Sequence, residues 1–114
     1  LFNTMEFGTV KNIDQFHALY AYSPYHNVKP GVSYPATLFL TGANDPRVDP
    51  MHSRKMTARL QSATASSAPI FLRSAAKTGH GSSTPLAARI EEMVDIYGFI
   101  CDRLEVEVQD FGSQ

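Results

Sequence analysis

The segment LFLTGANDPRVDP (residues 38–50) places Asp45, Arg47 and Asp49 within five positions, directly after an apolar run that closes at Gly42. A second residue able to move protons, His80, stands between Gly79 and Gly81 in AKTGHGSSTP (residues 76–85). A carboxylate and an imidazole together suit general base catalysis. The carboxylate fixes the ring tautomer and stabilises its cation, while the other ring nitrogen accepts a proton. Glycines on both sides of His80 permit backbone angles that aim its side chain outward. The residue types alone leave a second reading open, since an Asp after a strand also serves as a turn or cap residue and a Gly-flanked His also occurs in surface turns.

Positioning these groups requires elements that bring two distant loops together. IDQFHALYAY (13–22) reads as a short helix, with Asp14 as its cap and Phe16, Leu19 and Tyr20 on one face. Residues 23–35 hold three prolines and a glycine and read as irregular. ATLFLTG (36–42) and PIFLRSA (69–75) are continuous apolar runs, as expected of strands covered on both faces. Between them, DPMHSRKMTARLQSA (49–63) opens with Asp49 and Pro50, a strong helix start. TPLAARIEEMVDIYGFICDRLEV (84–106) has Thr84 as its expected cap. Its Leu86, Ile90, Met93, Val94, Tyr97, Cys101 and Leu104 recur at three and four in one apolar stripe. Two strands joined by a helix predict a parallel βαβ unit of α/β class with flanking helices. In open α/β sheets the ligand-binding edge lies beyond the carboxyl ends of the strands. Asp45 and His80 follow the two strands, so they are expected on adjacent loops at that edge.

Composition narrows the possible partners. At 114 residues with a formal net charge of −1, the chain has no basic footprint for nucleic acid. No apolar run reaches the ~18–20 residues of a membrane span. The single cysteine, Cys101, excludes an internal disulfide and is expected in the core. No cofactor is expected. Asp49 and His52 read as a helix cap and first turn, not as metal ligands, and no H-E-x-x-H or cysteine pairing points to a metal. His17 is expected on a helix surface and His26 in a loop, bonded to backbone. Tyr22, Tyr25 and Tyr34 are expected to pack loops.

The stretch YSPYHNVKPGVSYPATLFLTGANDPRVDPMHSRKMTARLQ (22–61), with TGHGSSTP and IEEMVDIYGFI, resembles the prolyl oligopeptidase family of serine peptidases. The likeness runs from about residue 14 to about residue 104, to the C-terminal part of their α/β-hydrolase catalytic domain. It implies that Asp45 in GANDPRV is the triad aspartate, that His80 in GHG is the triad histidine, and that Arg47 grips a substrate backbone carbonyl near the scissile proline. A guanidinium suits that task because it stays charged and offers several donors. Pro46 departs from the second Asp found in many relatives and should stiffen the loop. The implied substrates are short proline-containing peptides cut on the C-terminal side of proline. A related dipeptidyl- or acylaminoacyl-peptidase is the alternative within the family, and a non-catalytic self-associating α/β module the alternative outside it.

Hydrolases of this kind carry their nucleophile in a G-x-S-x-G elbow, in the chain order Ser, Asp, His. The sequence has ten serines, but no two glycines lie four apart with Ser between them. Ser33 in GVSYP comes nearest and fails at the last position. The elbow is therefore expected upstream of Leu1, as is the propeller that gates entry in full-length relatives. The lack of an initiator Met fits an internal start. Residues 1–114 read as the C-terminal portion of the catalytic domain, inactive alone. Without strands on the far side of residues 36–41, the chain is expected to self-associate through that exposed sheet edge.

Overall fold

The expected alternation is present. The computed structural model describes residues 2–75 and 84–107. In chain order they form α1 (Phe2–Phe7), α2 (Ile13–Tyr22), α3 (Pro24–Asn27), β1 (Thr37–Gly42), α4 (Met51–Ala63), β2 (Ile70–Ala75) and α5 (Leu86–Arg103). β1 and β2 pair in parallel, with Thr37 opposite Ile70 and Gly42 opposite Ala75. The ladder is extended at one end by the Thr37 N–H donating to the Pro69 carbonyl at 2.9 Å. At the other end the Ala43 N–H donates to the Ala75 carbonyl at 3.0 Å.

The core forms where α4 meets this sheet. Thr57, Leu60 and Ala63 recur at three along α4 and are buried on one face. Leu60 and Ala63 meet Val28 and Ile70, with Tyr34, Phe39 and Met56 packed around them. The strap from Val28 to Tyr34 is tied down by polar bonds. The Tyr34 hydroxyl accepts from the Lys29 N–H at 2.7 Å, the Gly31 N–H donates to the Ala63 carbonyl at 2.8 Å, and Val32 bridges Thr64. Gly31 has φ +77°, a conformation glycine adopts without a Cβ clash, and this turns the strap back onto α4. Among the described residues only Val28, Thr57, Leu60, Ala63 and Ile70 are buried. The radius of gyration is 18.1 Å, against about 13 Å for a compact domain of this length. The fold is drawn out around a small core.

Helix ends differ from the sequence expectation in three places. The α2 cap is Asn12, not Asp14: its side-chain oxygen accepts from the N–H groups of Asp14 and Gln15 at 3.0 and 3.1 Å. At α4 the cap position falls on Pro50, but Asp49 Oδ1 accepts from the Met51 N–H at 2.8 Å, so the carboxylate still serves the first turn. At α5 the cap position is Pro85 and no side chain caps the helix, so Thr84 does not play that part. α1 and α3 were not expected. α3 lies inside the proline-rich segment because Pro24 suits a first helical position, where its missing N–H costs nothing. No described helix is long and apolar enough to cross a membrane.

Candidate active site

The parallel register decides where the two strands release the chain. Gly42 and Ala75 are partners, so both exits lie side by side at one edge of the sheet. From β1 the chain turns at once, with the Asp45 N–H directed at the Gly42 carbonyl at 3.4 Å. Asp45 is half-buried there, and its Oδ1 accepts from the N–H groups of Arg47 and Val48 at 2.8 and 2.9 Å. This is the local bond that Asp readily makes to the backbone two and three residues on. It locks the carboxylate to the loop rather than leaving it on a free rotor. Pro46 adds a fixed φ inside the same turn. Arg47 is exposed, with its N–H committed to Asp45.

The other exit leads into residues 76–83, so His80 lies outside the described residues. Asp49 and His52 are exposed, and Asp49 acts on the first turn of α4. Among the described residues no three His, Cys, Asp or Glu gather as metal ligands would.

A family model described as the prolyl oligopeptidase family matches residues 2–107. The chain belongs to that family. It is 37% identical over 95 residues to a prolyl endopeptidase of Elizabethkingia miricola, covering 82% of this chain and 14% of that protein. It is 34% identical over 111 residues to prolyl oligopeptidase ophP of Omphalotus olearius, covering 95% and 15%. Among solved structures, one from an analysis of two prolyl endopeptidases superposes with a TM-score of 0.85 at 43% identity, over 92% of this chain and 16% of that one. Prolyl oligopeptidase B of Galerina marginata, bound to a 35mer hydrolysis and macrocyclization substrate, superposes with a TM-score of 0.84 at 32% identity, over 94% and 15%. The fold is thus that of part of an α/β-hydrolase domain, and the chain spans about 14–16% of the length of these relatives.

Other polar side chains brace the scaffold of this prolyl oligopeptidase segment. His26 does not bond to backbone as expected: its Nδ1 lies 2.8 Å from the Ser23 hydroxyl, and its ring packs against Tyr20 and Tyr25. Lys55 of α4 sits over the Tyr25 ring at 4.7 Å, which ties α3 to α4. Asn27 was not singled out in the sequence. Its amide donates to the carbonyls of Tyr20, Ala21 and Ser23 at 3.3, 3.0 and 2.9 Å, satisfying groups that the end of α2 leaves open. The only sequence signal for it is a polar residue just after a helix end. Cys101 is half-buried on α5 rather than in the core.

Proposed function

We propose that the chain is the Asp- and His-bearing part of a serine peptidase that cuts short peptides on the C-terminal side of proline. The observation that carries this reading is the turn-locked Asp45 carboxylate at the carboxyl edge of β1, beside the exit of β2 that leads to His80. In that role Asp45 accepts from the His80 Nδ1–H and holds the ring in one tautomer. Nε2 then takes the proton of a serine hydroxyl as it attacks the scissile carbonyl, and returns it to the leaving amine. The serine comes from a G-x-S-x-G elbow that this sequence does not contain. Arg47, exposed on the same loop, donates to a substrate backbone carbonyl and positions the peptide. The family membership supports this reading, as does the 35mer substrate bound to the Galerina marginata relative.

With base and orienter but no activated serine, the 114 residues alone hydrolyse nothing on this reading. The test is a chimera in which residues 14–104 replace the matching segment of the Elizabethkingia miricola prolyl endopeptidase. The chimera should cleave a Gly-Pro chromogenic peptide. Its His80→Ala variant should lose turnover by about three orders of magnitude or more, because the base and the serine act as a unit. A folded His80→Ala chimera with undiminished turnover would refute the assignment.

A further inference from the structure

The pattern Asp-Pro-X occurs twice in close succession, as Asp45-Pro46-Arg47 and as Asp49-Pro50-Met51. In both, the Asp Oδ1 accepts from the N–H of the third residue at 2.8 Å. The two turns stand in series between the end of β1 and the first turn of α4. The second starts a helix, with the His52 N–H donating to the Asp49 carbonyl and the Arg54 N–H to the Pro50 carbonyl, each at 3.1 Å. The first leads into no helix. There the Val48 N–H joins that of Arg47 on the same Asp45 oxygen, at 2.9 Å. Helix initiation therefore accounts for Pro50 but not for Pro46.

We infer that Pro46 is a positioning residue of the active site: it holds the Asp45 carboxylate in the orientation that serves His80. This inference rests on the roles proposed above for Asp45 and His80. The pyrrolidine ring fixes the φ of Pro46 itself. Its Cδ also keeps Asp45 out of the helical region, which sets the direction of the Asp45 Cα–Cβ bond. Pro46 brings no N–H of its own, so the backbone donors on Oδ1 are those of Arg47 and Val48. Oδ1 then serves the turn, and Oδ2 serves the imidazole Nδ1–H. The Pro46 side chain is exposed, so it acts through the backbone and not through packing. Arg47 depends less on the turn, because its guanidinium ends a long flexible stem that can follow the substrate, whereas the short carboxylate cannot. Releasing a proline restraint of this kind widens the choice of backbone states about 2- to 5-fold. Glycine in its place adds further freedom. The share of molecules with an aligned carboxylate falls by the same factor, and turnover falls with it.

The Elizabethkingia miricola chimera tests this. Pro46→Gly should lower kcat for the Gly-Pro chromogenic peptide about 5-fold or more, with KM close to that of the parent chimera and circular dichroism unchanged. Pro46→Ala should fall between the two. Pro50→Gly loosens the second turn by the same chemistry, so it should lower Tm and leave kcat unchanged. In an Asp45→Asn background the turn persists but the orienter of the imidazole is gone, so adding Pro46→Gly should not reduce kcat further. Parental kcat in the Pro46→Gly chimera overturns the inference. An equal loss in Pro50→Gly, the mark of a general loosening, overturns it too, as does a loss that recurs at full size in the Asp45→Asn background. These outcomes leave the roles of Asp45 and His80 standing. A folded His80→Ala chimera that keeps its turnover removes those roles themselves, and the inference with them.

Discussion

Asp45 carries two separable duties, and substitution by Asn and by Ala pulls them apart. Its Oδ1 accepts two backbone N–H groups at 2.8 and 2.9 Å, and an Asn side-chain oxygen can accept both in the same place. Alanine removes them. Each such bond contributes about 0.5–1.5 kcal/mol, and the half-buried setting puts the pair near 1–2 kcal/mol, the range of a lost helix cap. A shift of 1 kcal/mol moves Tm by about 4–8 °C in a domain near 100 residues and by less in a larger one. In the Elizabethkingia chimera, Asp45→Ala should therefore lower Tm measurably and Asp45→Asn should hold it close to the parent. Turnover should behave otherwise. Asn keeps the turn but no longer stabilises an imidazolium or selects its tautomer, so both variants should lose activity by roughly four orders of magnitude. Calorimetry and hydrolysis of the Gly-Pro substrate read the two duties independently. Equal Tm losses for Asn and Ala would refute the role of Oδ1 in the turn. An active Asn variant would refute Asp45 as the orienter of His80.

Leu60→Ala strikes the small core beside Val28, Ala63 and Ile70 and should cost about 2–5 kcal/mol. That is a large share of any domain's stability, so the urea transition of the 114-residue chain should lose its cooperativity; an unshifted transition would refute this account of the core. Arg47→Ala in the chimera should lower kcat/KM about 10- to 100-fold, the value of one charge-assisted bond, without altering circular dichroism. An unchanged kcat/KM removes Arg47 from the site. A fluorophosphonate probe should label no serine of the 114-residue chain, and stoichiometric labelling would show an activated serine that the sequence motifs do not reveal.

Much of the positioning framework was legible without coordinates, because it rests on local chemistry. Apolar runs closed by Gly42 and Ala75 became the two strands, and Pro50 and Asp49 marked the start of α4. Asp45 was recognisable by its place after a strand and by the family likeness of its loop. Caps were less legible. Asn12 and Asp14 are both competent, and only the path of the chain into α2 decides which side chain reaches the free N–H groups. His26 likewise found the Ser23 hydroxyl because the short turn of α3 brings the two side chains together, a helix that its proline-rich surroundings concealed.

Periodicity by itself determined that Leu86, Ile90, Met93, Tyr97 and Leu104 share one face of α5, since spacing on a helix is set by its pitch. It could not determine what that face meets. The tertiary structure decided this by seating the opposite face on β2 through Phe99 and Asp95. The same holds for the site. Sequence order put Asp45 after the first strand and His80 after the second, whereas the pairing of Gly42 with Ala75 set both exits at one edge. The register of a parallel ladder depends on contacts between segments far apart in the chain, and no local pattern encodes it.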